Sequence, residues 1–180
     1  MDMPVPQQDE ILNHMHRAVF GRPLITNVLR SLVVEAMVDL ALGEDWLWCG
    51  ADYFHYDFRH SSGFKLEVKQ SAFKQSWATH QPSKPRFDIR EREGYWDDAI
   101  VWVAQKGRAA DGYLFALHTD VSDQADHRCA DQWQFYLVQT RDLPMQKSIG
   151  LPWLLAHAHA VDITKLRMSA DAICAQWQSD

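Results

Sequence analysis

At 180 residues, 47% of them apolar and 23% charged, the chain is long enough for one domain with its own core and needs no disulfide or metal staple. Its 24 acidic residues outnumber 18 basic ones, and the formal charge of -6 excludes a protein that coats nucleic acid by bulk electrostatics. It does not exclude an enzyme whose carboxylates bind cations. Three widely spaced cysteines (Cys49, Cys129, Cys174) form no paired motif and predict reduced thiols. The first residues carry neither a basic n-region nor an apolar h-region, and no window approaches the ~18 apolar residues of a membrane span, so a cytoplasmic protein is expected.

The spacing of Ile11, Leu12, Met15 and Val19 predicts a helix from Asp9 to about Phe20, with Asp9 as N-cap. After Gly21-Arg22-Pro23, a longer helix is predicted from Leu24 to Leu42, with Gly43 as its C-terminal stop. Val28, Leu29, Leu32, Val33, Ala36, Met37, Leu40 and Ala41 form its apolar face, and Asn27, Ser31, Glu35 and Asp39 a narrow polar stripe.

Two alternating runs follow, one through His55-Tyr56-Asp57-Phe58-Arg59 and one from Phe64 to Ala72. Ser61-Ser62-Gly63 lies between them as a three-residue hairpin loop. That loop pairs Arg59 with Lys65, Asp57 with Glu67 and His55 with Lys69. One side of the ribbon then carries Tyr53, His55, Asp57, Arg59, Lys65, Glu67 and Lys69, and the other carries Phe54, Tyr56, Phe58, Phe64, Leu66 and Val68.

Residues 74–93 are polar and broken by proline, with a short strand expected around Phe87 to Ile89. Ile100 to Ala104, Tyr113 to His118 and Gln134 to Gln139 read as strands, and Leu151 to His159 and Ala170 to Trp177 as helices. No repeat or linker divides the chain, so residues 1–180 form a single expected domain.

The opposed acids carry the chemistry. Directly paired residues lie about 5 Å apart at Cβ, where two carboxylates repel by roughly 3 kcal/mol at an effective dielectric near 20. A divalent cation reverses that sign, and hard oxygen ligands suit Mg²⁺ or Mn²⁺. Asp57 and Glu67 are therefore candidate metal ligands. Glu35 is a third if the helix stripe packs beside the hairpin. Lys69, on the same face, supplies a positive charge for a water or phosphate.

Glu35 in the first core helix, Asp57 on one strand and Glu67-Val68-Lys69 on the next resemble the PD-(D/E)XK nuclease superfamily, the restriction-endonuclease-like fold. The wording Leu-Glu-Val-Lys-Gln-Ser-Ala, with Gln75 and Trp77 close behind, is similar to poorly characterised bacterial members. The specific part covers about residues 24–77, and Tyr56 stands where the motif has proline.

The resemblance implies an α/β fold with an αβββαβ core, in which a central mixed sheet is flanked by helices. It also implies Mg²⁺-dependent phosphodiester hydrolysis in DNA, with Asp57, Glu67, Glu35 and Lys69 as the site. A catalytically silent nucleic-acid-binding or assembly module is the alternative.

Gln70 and His55 are accessory candidates, Gln70 only if a bulge turns it toward the metal. Lys74, Lys84, Arg86, Arg90 and Arg92, with Trp77 interleaved, are candidates for phosphate contact and base stacking. A homodimer is compatible with the sequence, which carries no signal for one. His14-Met15-His16 and His157-Ala158-His159 lack the spacing and companions of a zinc site.

Overall fold

A computed structural model describes residues 5–50, 54–77, 80–97 and 101–179. In chain order they form α1 (Gln8–Phe20), α2 (Asn27–Leu42), β1 (Trp46–Trp48), β2 (Phe58–His60), β3 (Lys65–Ala72), β4 (Arg86–Asp88), β5 (Tyr95–Asp97) and β6 (Val101–Val103). Then come β7 (Gly112–His118), β8 (Trp133–Gln139), β9 (Ser148–Gly150), α3 (Leu151–His157) and α4 (Leu166–Gln178).

Five strands build one mixed sheet in the order β1-β2-β3-β7-β8. β1, β2 and β3 are antiparallel neighbours, β3 and β7 run parallel over seven residue pairs, and β8 is antiparallel to β7. Every residue of β7 is buried, as expected for a central strand covered on both faces.

On one face Val34, Val38 and Leu42 of α2 and Leu166, Ala170 and Ile173 of α4 pack on Phe58, Phe64, Leu66, Val68, Leu114 and Phe135. On the other face Phe87 and Ile149 of the two-stranded β4–β9 sheet, with Leu154 of α3, cover Tyr113, Phe115, Tyr136 and Val138. The protein is thus a mixed α/β fold with a five-stranded mixed sheet and helices. The β3-to-β7 connection carries β4, β5 and β6 and, among the described residues, no helix, where an αβββαβ order has one. No described helix is long and apolar enough to cross a membrane.

Several elements differ from the sequence expectation. α1 begins at Gln8, because the Gln7 amide is capped by Glu10 Oε2 at 2.8 Å, which displaces Asp9 from the cap. α2 begins at Asn27 rather than Leu24, since the Ile25 amide donates to His127 Nδ1 at 2.9 Å and holds the preceding residues outside the helix. Its C-terminal stop is Gly43, at φ 80°.

The buried side of α2 is Arg30, Val34, Glu35, Val38 and Leu42, whereas Val28, Leu32 and Leu40 are exposed. The helix is apolar on nearly all sides, so periodicity does not choose a face. The face chosen is the one on which Arg30 and Glu35 find polar partners. β6 pairs with β5, a strand the sequence reading did not include. Ile100 and Tyr53, assigned to a strand and to the ribbon face, lie outside the described residues.

The hairpin register holds where a ladder exists, with Phe58 opposite Leu66 and Arg59 opposite Lys65. Gly63 takes the left-handed conformation the loop needs, at φ 95°. The ladder ends at Phe58, so the predicted pairs Asp57–Glu67 and His55–Lys69 do not form. The chain turns at Asp57 instead. Tyr56 and Phe54 therefore pack with the β4–β9 side, while Phe58 packs under α2.

Candidate active site

Asp57 sits at that turn because its side chain replaces a strand. The Val68 amide donates to Asp57 Oδ2 at 2.6 Å, while the Asp57 amide donates to the Leu66 carbonyl at 3.0 Å and the Cys49 amide to the Asp57 carbonyl at 2.8 Å. The residue thus bridges β3 and the end of β1 with its carboxylate at the fork of the sheet.

Glu67 and Lys69 share one face of β3 and are in ion-pair contact with each other. Glu35 reaches the fork from α2 and accepts from Trp48 Nε1 at 3.0 Å. Gly50 leaves room for this bond, since a Cβ there would lie 2.4 Å from Glu35 Oε2 and 2.6 Å from Trp48 Nε1.

The electrostatics tie the four groups together. Burial, followed by the charges of Glu67 and Glu35, pushes the Asp57 carboxyl up to about 8 against the pull of the Val68 amide and Lys69. Burial also raises Glu35, opposed by its Trp48 hydrogen bond and reinforced by Glu67. Burial alone would lower Lys69, but the Glu67 charge and hydrogen bond and the Asp57 charge outweigh it and hold the ammonium above its ordinary range. Three carboxylates thus crowd one lysine.

Such a donor set suits a hard divalent cation in its chemistry. Its present arrangement does not close around one: Glu67 is turned to Lys69 and Glu35 to Trp48. Among the described residues no group of three or more His, Cys, Asp or Glu side chains is placed to hold a metal ion. An ion binding here competes with Lys69 for Glu67 and with Trp48 for Glu35.

Asp57, Glu67 and Lys69 form one end of a cavity of about 500 Å³. Tyr113, paired with Glu67 across the β3–β7 ladder, lines it beside Asp88, Arg90, Arg92, Arg108, Tyr95, Trp96 and Trp102. His55 lines it too, with its ring 4.1 Å from that of Tyr95 and its Nδ1 3.2 Å from the Trp96 carbonyl.

Gln70 does not turn toward the acids. β3 stays regular, so Gln70 faces α2, where Arg30 Nε donates to its Oε1 at 2.6 Å and its Nε2 donates to the Asn27 carbonyl at 2.9 Å. Arg30 also donates to Gln75 at 3.1 Å and to Asn27 Oδ1 at 2.7 Å, so a buried cation is bound by three neutral side chains. Burial lowers its pKa to about 10.

Of the residues expected to meet DNA, Arg90 and Arg92 line the cavity. Lys74 is engaged elsewhere, by the Ser122 carbonyl and by Asp123 at 3.5 Å. Arg86 donates to Ser148 at 2.9 Å, and Lys84 and the exposed Trp77 are not part of the lining. Sequence reasoning missed Trp48, Gly50, Trp96, Trp102 and Arg108. The closely spaced aromatics of Tyr95-Trp96 and Trp102 were the available signal for the last wall. No protein-family model matches the chain, and no curated protein matches it significantly.

Proposed function

We propose that this protein is a metal-dependent deoxyribonuclease of the PD-(D/E)XK type, with a restriction-endonuclease-like core. One observation carries the reading: Asp57, Glu67 and Lys69 meet at one end of a cavity, and Glu35, from a third stretch of chain, joins Glu67 in raising the Asp57 carboxyl. A fold has little reason to crowd three carboxylates on one lysine unless a further cation joins them.

Asp57 and Glu67, supported by Glu35, would hold Mg²⁺ or Mn²⁺. Such an ion, when bound, neutralises phosphate charge and lowers the pKa of water. The chain's own groups divide the remaining work. Asp57 is fixed by the Val68 amide, so its carboxylate keeps its position as charges change around it. Lys69 is charged and tethered by Glu67, which places its ammonium where it can orient a water or offset negative charge developing on a phosphodiester. Arg90 and Arg92 lie along the path of the flanking phosphates. The reading goes with a cytoplasmic location, in keeping with three free cysteines.

A second reading, a catalytically silent nucleic-acid-binding or assembly module, is favoured by one feature: Lys69 occupies Glu67, and no described trio of ligands is placed to hold an ion. The two separate in a cleavage assay on single-stranded, duplex and branched DNA with Mg²⁺ or Mn²⁺. The nuclease reading expects product from the natural chain and a loss of roughly 100-fold or more in Lys69→Ala and Asp57→Ala. DNA binding with no product under any divalent ion overturns it.

A further inference from the structure

The cavity has a second wall that phosphodiester hydrolysis by itself does not require. β5 and β6 pair as an antiparallel ribbon with Trp96 directly opposite Trp102. The two indoles meet edge to face with ring centroids 5.6 Å apart, yet are 41% and 50% exposed. Large aromatic side chains left this open at the rim of a charged cavity lose the burial that would stabilise them in a core.

Gly94 seats the second indole. A Cβ there would lie 2.6 Å from Trp102 Cζ2 and 2.5 Å from the Val103 carbonyl, so only the bare backbone permits this approach. Beside the indoles, Asp88 is shared between Arg90 at 2.9 Å and Arg92 at 3.8 Å and neutralises at most one of them. Arg108 is held in place by the Ile89 and Pro144 carbonyls, each at 2.6 Å, which orient its guanidinium without cancelling its charge. Stacking faces, fixed cations and an acidic end thus share one space of about 500 Å³, within the ~300–1,000 Å³ range of small-molecule pockets and too small for a stacked duplex.

We propose that this cavity selects single-stranded DNA: an unstacked base lies against Trp96 and Trp102, its phosphates run along Arg90, Arg92 and Arg108, and the bond to be cut reaches Asp57, Glu67 and Lys69. The substrate class rests on the nuclease reading above, whereas the base-stacking wall does not. Stacking on an aromatic side chain is tolerant of base identity because every base has a π-face, so the preference is for strandedness rather than sequence. A paired base enters only after it is unstacked from its duplex, and that step opposes binding.

The test is fluorescence anisotropy with labelled dT12 and a 12-bp blunt duplex in EDTA, where no cleavage occurs, followed by cleavage of the same two substrates with Mg²⁺. Wild type is expected to bind dT12 at least tenfold more tightly than the duplex. Trp96→Ala/Trp102→Ala is expected to lose at least tenfold of that affinity at an unchanged thermal midpoint, and Trp96→Phe/Trp102→Phe to keep it within about threefold.

Equal binding of dT12 and duplex, or an unchanged affinity in the alanine double variant, overturns the proposal. So does tighter binding of rU12 than of dT12. Duplex cleavage that ignores the two tryptophans sinks this inference and leaves the nuclease reading standing. Tryptophan-dependent dT12 binding without cleavage under any divalent ion does the reverse.

Discussion

Gly50 and Glu35 approach so closely that a Cβ on Gly50 would lie 2.4 Å from Glu35 Oε2. The contact is with the end of a flexible side chain rather than with backbone, so the fold can yield. The Glu35–Trp48 hydrogen bond cannot, because the same Cβ would stand 2.6 Å from Trp48 Nε1. Gly50→Ala is therefore expected to leave stability within about 1 kcal/mol of wild type while displacing the Glu35 carboxylate and lowering cleavage roughly tenfold or more. Trp48→Phe, which removes the donor without filling the space, should push the Glu35 carboxyl further up and move the acid limb of the pH–rate profile to higher pH. Coincident profiles for wild type and Trp48→Phe would separate Glu35 from the reaction.

Asp57 makes the protein sensitive to alkali when no divalent ion is present. Its native pKa, about 8, lies above the ordinary value of 3.8, so the folded chain holds a proton that the unfolded chain has released. Stability from this group is present at low pH and is lost as pH rises between about 4 and 8. In EDTA at pH 8.5, Asp57→Asn, which keeps an acceptor for the Val68 amide, should be more stable than wild type by about 2 kcal/mol, or roughly 5 °C. The gap should narrow toward pH 5. Mg²⁺ should raise the wild-type midpoint more at pH 8 than at pH 6, because protons compete for the ligand. A gap between the two chains that is constant with pH would refute the assignment.

His127 works in the opposite sense. It is fully buried, and burial, followed by the charge of Arg30, lowers its pKa to about 4 from an ordinary 6.5. The unfolded chain takes up a proton that the native state refuses. Stability is therefore intact above pH 6.5 and is lost toward pH 4, by about 3 kcal/mol at most. His118, lowered chiefly by burial and packed edge to face on His127 with centroids 4.8 Å apart, adds to the loss. Urea unfolding at pH 7 and pH 4.5 should show a smaller acid loss in His127→Asn than in wild type.

Arg30 is the cation that fastens α2 to the end of β3. Three acceptors, on Asn27, Gln70 and Gln75, are matched to the geometry of one guanidinium, and an ammonium cannot reach them all. Arg30→Lys should cost about 2 kcal/mol and Arg30→Met about 3 kcal/mol, read from urea unfolding at pH 7. A double-mutant cycle of Arg30→Met with Gln70→Ala should show coupling of roughly 1 kcal/mol, and strict additivity would place Gln70 outside the network.

Local rules carried the sequence reading as far as local rules hold. Gly63 and the three-residue loop set the register of Phe58 with Leu66 and Arg59 with Lys65, and alternation placed Glu67 and Lys69 together on β3. The break at Asp57 was not legible, because a side chain that accepts a strand's amide leaves no periodic trace. Nor was the burial of Arg30, whose partners Gln70 on β3 and Gln75 in the loop after it act only after α2 has docked. The β5–β6 ribbon has three residues on each strand, too few for alternation to separate it from a loop.

The route from β3 to β7 divides the protein's labour along its length. Asp88, Arg90, Arg92, Tyr95, Trp96, Trp102 and Arg108 all belong to that excursion, whereas Glu35, Asp57, Glu67 and Lys69 precede it. The seven-residue β3–β7 ladder clamps the excursion at both ends. Phe87 and Ile89 tie the β4 end of the excursion into the core, whereas β5 and β6 pair only with each other, so that ribbon can be exchanged while Glu67 and Lys69 stay in register with Tyr113 and Phe115. The aromatic rim of the cavity is therefore the part open to exchange, and the acids and the lysine are built into the frame.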